Sequence, residues 1–89
     1  MKTFNKILII GAGDAGIALF RELKQRGLDR RVAGFIDDDN TKIGTAVEGV
    51  NILGPVSLLR IFCSDLSVTD VIVAAPSASP SFISGIISA

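Results

Sequence analysis

Eighty-nine residues are enough for one small domain at most. Nine basic and nine acidic residues cancel, with no basic run and no aromatic platform, which excludes a nucleic-acid or anionic-membrane partner recognised by charge. Hydrophobic residues make up 48% against 20% charged, apolar for so small a chain, yet no run approaches the ~20 residues of a membrane span. There is no signal peptide with a cleavage site, and one cysteine, Cys63, fits a reducing cytosol, so a cytoplasmic location is expected.

In chain order, a first strand is predicted over residues 5–10, where Ile7 to Ile10 are continuously apolar, as in a central parallel strand. It stops at Gly11, and Gly13 and Gly16 complete G-x-G-x-x-G spacing before a helical pattern over 14–26. Gly11 allows a tight turn out of the strand, Gly13 lets a pyrophosphate approach the backbone, and Gly16 lets the helix pack against the strand. The helix N-terminus then aims N–H groups and its dipole at the phosphates. Asp14 pulls two ways: an acid suits the dipole as a cap, yet it repels a pyrophosphate unless it points away or meets a cation. Ile17, Leu19, Phe20 and Leu23 form the inward stripe, and Gly27 sits where a left-handed C-cap belongs.

A second strand is predicted over 31–37, and its last residue, Asp37, lies about 20 residues past Gly16, where a carboxylate would accept a ribose hydroxyl. With no arginine directly after it, Asp37 favours NAD over NADP. Asp38, Asp39 and Asn40 read as a solvated acidic turn, and Lys42 beyond them as solvated rather than bound to phosphate. Val50-Asn-Ile-Leu53 forms a third strand without an intervening helix. Pro55 suits the first turn of the next helix, on which Val56, Leu59, Phe62 and Cys63 share a face, Cys63 as a small core residue. Residues 70–75 give a fourth strand. The loop Pro76–Ser79 follows, with Ser79 an N-cap, Pro80 a first helical residue, and Phe82, Ile83, Ile86 and Ile87 at helical spacing. Right-handed crossovers give an α/β, Rossmann-like parallel sheet ordered 3-2-1-4, a partial domain whose glycine loop faces the Pro76–Ser79 loop across the switch point.

No histidine and no tyrosine are present, so neither a Ser-His-Asp arrangement nor a Tyr-x-x-x-Lys pair exists in this chain. Binding without catalysis is the expectation. The cofactor-binding set is Gly11, Gly13, Asp14, Ala15, Gly16, Asp37, Asp38, Pro76, Ser77 and Ser79, the serines donating hydroxyls to a phosphate or ribose, or else only capping the helix.

Five segments, Ile9-Ile10-Gly-Ala-Gly-Asp-Ala-Gly-Ile, Gly34-Phe-Ile-Asp-Asp-Asp, Lys42-Ile-Gly44, Gly49-Val-Asn-Ile-Leu-Gly54 and Ala75-Pro-Ser-Ala-Ser79, follow in order along nearly the whole chain. They resemble the N-terminal nucleotide-binding domain of polysaccharide-biosynthesis nucleotide-sugar epimerase/dehydratases, the group with membrane-bound 4,6-dehydratases of capsule and O-antigen synthesis. The resemblance implies NAD or a nucleotide-sugar at Gly11, Gly13, Gly16, Asp37 and the Pro76–Ser79 loop. It also implies a separate catalytic short-chain-reductase domain with its own NAD site, so a fragment of a longer protein is expected, on the cytosolic face of a membrane where the parent is anchored. The N-terminal domain of sugar O-acetyltransferases is similar too, but usually carries a histidine where this chain has Ala15. A regulatory or dimerisation module with a vestigial site is the alternative of another class, and its apolar surface would make homo-oligomers. A domain sensing the NADH/NAD ratio shares the fold but needs a DNA-binding partner domain.

Overall fold

The computed structural model describes residues 6–74 and the strand Ser81–Ser84. Strand β1 (Ile7–Ile10) is central and pairs in parallel with both β2 (Val32–Ile36) and β5 (Asp70–Val73). Flanked on both sides, it has side chains buried on both faces, which is why it is apolar without alternation. Its residues then separate by the strand period of two: Ile7 and Ile9 join one core, Leu8 the other.

Helix α1 (Asp14–Gln25) covers the first face, inserting Phe20 and Leu23 beside Ile7 and Ile9. The Phe20 and Phe35 rings meet edge to face at 5.9 Å and 61°. Gly27 ends the helix at φ +76, as expected of a left-handed cap. Leu28 N–H donates to Leu23 O at 2.8 Å and Gly27 N–H to Lys24 O at 3.0 Å, the paired bonds of a Schellman motif, and Leu28 folds back onto the core. Helix α2 (Leu59–Leu66) covers the second face, placing Cys63 against Leu8 and Val71. Pro55 lies one residue earlier than expected. It is extended and precedes a 3-10 turn, Val56–Leu58, because its fixed φ suits either position while the tighter turn leads into the helix.

The hydrogen-bonded order is β3-β4-β2-β1-β5-β6, where β3 is Ala46–Val47, β4 is Val50–Gly54 and β6 is Ser81–Ser84. Parallel strands β4, β2, β1 and β5 are those the sequence orders 3-2-1-4, and an antiparallel strand extends each flank. No helix crosses from β2 to β4. The crossover is a loop and the β3-β4 hairpin, whose Val47 and Val50, with Ile43, pack on the α1-side core in its place.

One expectation fails. Residues 81–84 are not helical, but form β6, antiparallel to β5 with Asp70↔Ser84 and Val73↔Ser81 in register. A short apolar run cannot distinguish period 2 from period 3.6, and pairing along the open edge of β5 decides in favour of the strand. The expected Ser79 cap, with Pro80, Ile86 and Ile87, lies outside the described residues.

Candidate functional site: a glycine-loop cleft

The loop leaving β1 is built by contacts that admit no side chain. Gly11 N–H donates to Ile36 O at 2.7 Å, and its φ of +107 is a conformation side chains rarely adopt. A Cβ there would stand 2.7 Å from Ala74 O, and one on Gly16 would stand 1.7 Å from Gly11 O. Gly16 is therefore the place where helix and strand touch backbone to backbone. Gly13 differs. Its Cβ would meet only Lys42 Nζ, at 3.8 Å, so space rather than packing distinguishes this glycine.

Gly13 is the N-cap of α1, with no side-chain cap, and Ile17 N–H is the first to find its helical acceptor, Gly13 O at 2.9 Å. Ahead of it, the N–H groups of Asp14, Ala15 and Gly16 have no acceptor among the described residues. A cleft of about 290 Å³ lies over this turn. Ala15 and Gly16 line it together with Gly11, Gly13 and Ala74. Asp14 is exposed at its mouth; it favours the helix dipole but makes no capping bond, so only half of its expected role is realised.

Asp37 follows β2 directly and is fixed by its own backbone, donating N–H to Gly54 O at 3.0 Å. Its carboxylate spans two turns: Oδ2 accepts Ala12 N–H at 2.8 Å and Oδ1 accepts Asp39 N–H at 2.9 Å. Those two N–H groups hold its pKa below the ordinary 3.8, with Lys42 assisting and partial burial and Asp39 opposing. The group is thus ionised, and each oxygen keeps acceptor capacity on the cleft it lines.

Asp38 is turned elsewhere. Its Oδ1 accepts Val56 N–H at 2.8 Å, capping the 3-10 turn, and it does not line the cleft. Asp39 accepts Thr41 N–H at 2.9 Å and Thr41 Oγ1 at 2.6 Å, bonds that lower its pKa and make the acidic turn expected of it. That turn has a consequence hidden in the sequence. Lys42 N–H donates to Asp39 O at 2.9 Å, the chain reverses, and Lys42 comes to the cleft wall above Gly13 instead of into solvent. The one signal in the sequence was the Asp39-x-Thr41 turn immediately ahead of the lysine. Pro76, Ser77 and Ser79 lie outside the described residues.

Among the described residues the cleft therefore offers unpartnered N–H donors, one ammonium group, the ionised Asp37 carboxylate and, at its mouth, that of Asp14, a set that can hold an anion next to a hydroxyl-bearing neighbour. Elsewhere, Cys63 is buried and burial pushes its thiol up, as suits a core residue. Among the described residues no group of acids and cysteine is placed to hold a metal, and no helix is long and apolar enough to cross a membrane.

Among solved structures the chain is similar to the crystal structure of UDP-D-quinovosamine 4-dehydrogenase from Vibrio fischeri, with 34% sequence identity and a TM-score of 0.69. The match covers 86% of this chain and 62% of that one, so the chain spans less than two thirds of its neighbour. No protein-family model and no curated protein matches. The fold is Rossmann-like, and the likeness is to a nucleotide-sugar enzyme.

Proposed function

We propose that this chain is the nucleotide-binding domain of a polysaccharide-biosynthesis nucleotide-sugar dehydratase or epimerase, holding an NAD-type dinucleotide or a nucleotide-sugar over Gly11–Gly16. The observation that carries the reading is the open space at Gly13, bordered by the unpartnered N–H groups of Asp14, Ala15 and Gly16. Each can give a charge-assisted hydrogen bond of roughly 1.5–3 kcal/mol to a phosphate oxygen. The Asp37 carboxylate, which lines the same cleft just past the neighbouring strand, would accept a ribose hydroxyl. Similarity to a UDP-D-quinovosamine 4-dehydrogenase supports the sugar-nucleotide setting. Chemistry on the sugar then belongs to a catalytic domain in the parent protein, which is the expected partner, in the cytoplasm or at its membrane face.

Calorimetric titration of the chain with NAD, NADH, a UDP-sugar and coenzyme A tests this. Saturable heat with NAD or the UDP-sugar, abolished in Gly13→Val, is the expected result, and silence from every ligand refutes it. Because a Gly13 Cβ meets no backbone, the variant should fold as the parent does.

A second reading, a dimerisation module with a vestigial site, is favoured by one observation. Val56, Leu58 and Ile61 are 40%, 39% and 55% exposed on the 3-10 turn and α2. Sedimentation would then give a dimer whose stability Gly13→Val leaves unchanged, with no ligand response.

A further inference from the structure

Among the described residues Lys42 is the single cation lining the cleft, which two carboxylates, Asp14 and Asp37, also line. It makes no ion pair among the described residues, although other basic side chains, Arg21, Lys24 and Arg26, pair with glutamates. Nor is its place accidental. The loop that carries it is pinned on both sides: Asp37 to Ala12 and Asp39, Asp38 to Val56, and Gly44 N–H to Ile52 O at 2.9 Å. Thr45 Oγ1 closes the turn on Lys42 O itself at 2.6 Å. An ammonium 3.8 Å from the missing Gly13 Cβ borders the space a phosphate would fill.

We infer that Lys42 is the specificity-determining cation of the cleft, contacting the diphosphate of a nucleoside diphosphate ester across the glycine loop and offsetting the acidic pair beside it. The inference rests on the nucleotide-binding reading above. The charge arithmetic decides the ligand class. Asp14, Asp37 and Lys42 leave the walls at a net charge of −1, and a diphosphate diester adds two more negative charges. Without the lysine, every charge on the walls would repel the ligand. Among diphosphates, one with esters on both ends, whether a dinucleotide or a nucleotide-sugar, meets these acidic walls with the least charge. A further terminal or ribose phosphate adds repulsion from Asp37.

The test compares the full chain with Lys42→Met, Lys42→Gln and Lys42→Arg, titrated with NAD, UDP-glucose, adenosine and uridine. Loss of one charge-assisted contact should weaken whichever diphosphate binds about tenfold in the methionine and glutamine variants. The arginine variant should stay close to the parent, and nucleoside affinity should not change. Raising salt should narrow the gap in affinity between the parent and Lys42→Met. Which of NAD and UDP-glucose responds tells the two sources of the diphosphate apart. Two uncharged variants guard against a folding defect in one, checked by thermal unfolding. Parent binding that Lys42→Met leaves equal or tightens would mean the lysine is a bystander or a plug, and overturns this inference alone. Silence of the parent towards every ligand overturns the binding reading and this inference with it.

Discussion

Gly16→Ala offers the sharpest test of how the glycine loop is held together. The added methyl would stand 1.7 Å from Gly11 O, where ordinary contacts lie at 3.4–4 Å. No rotamer relieves the clash, because a Cβ has none and the obstacle is backbone. Helix α1 must retreat by roughly 1.5 Å, pulling Phe20 and Leu23 from the core they share with Ile7 and Ile9. Overpacking of this kind costs about 3 kcal/mol at the upper end of its usual range. Alanine returns about 1 kcal/mol in helix propensity. A net loss of about 2 kcal/mol should lower the melting temperature of a domain this size by roughly 8–16 °C. Thermal unfolding followed by circular dichroism measures it, with Gly13→Ala as the control. The Gly13 methyl meets nothing closer than Lys42 Nζ at 3.8 Å, so this variant should lose only the roughly 0.5–1 kcal/mol by which alanine is a poorer N-cap than glycine. If Gly16→Ala melts with the parent, or if both variants fall equally, the distinction between the packed and the open glycine is wrong.

Two further outcomes follow from the loop around the cleft. Because the folded pKa of Asp37 is lowered, its ionised form stabilises the fold fully above about 3.8, and this stabilisation is lost as pH falls through the folded value. Urea midpoints of Asp37→Asn should therefore lie below the parent near neutrality and converge with it in acid, whereas a constant offset would mean the charge is not responsible. At the β3-β4 hairpin, Glu48 and Gly49 have φ of 49 and 87, the two positive values of a type I′ turn. Glu48→Asn replaces a strained residue with one that tolerates this region. It forfeits Glu48's ion pairs to Arg21 and Lys24, whose basic partners are 66% and 57% exposed and worth at most about 0.5 kcal/mol each. Equal or higher thermal stability is expected, and a loss above about 1 kcal/mol would show the ion pairs to be the stronger term.

What the sequence discloses and what it conceals divide along physical lines. Strands β1, β2 and β5 are legible because burial on two faces leaves an apolar run, and the glycine loop because steric exclusion leaves glycine itself. Asp37 is legible by its distance from that loop. The β3-β4 hairpin is concealed: its turn is Glu-Gly rather than Asn-Gly, and β3 is too short to show alternation. Strand β6 is concealed because Phe82 and Ile83 suit either period, and the choice is made by antiparallel pairing with β5 rather than by a local signal. Lys42 is concealed for another reason. The Asp39-x-Thr41 turn signals that the chain reverses before this lysine but not which way the lysine faces, and the tertiary pins on Asp37, Asp38 and Gly44 bring it to the cleft. The same pins show why three successive aspartates are not interchangeable: the first holds the glycine loop, the second the approach to α2, and the third its own turn.

The two-residue β3 at the outer flank has a bearing on how copies of this domain can meet. A neighbouring chain seeking to lengthen the sheet there would find a ladder only Ala46–Val47 long, ended by a tight reversal. That is too little backbone to template another strand, so end-to-end stacking into ribbons is discouraged on this side. Assembly, where it occurs, is left to side-chain surfaces such as the apolar outer flank of α2, and its geometry is a matter of shape fit instead of sheet growth.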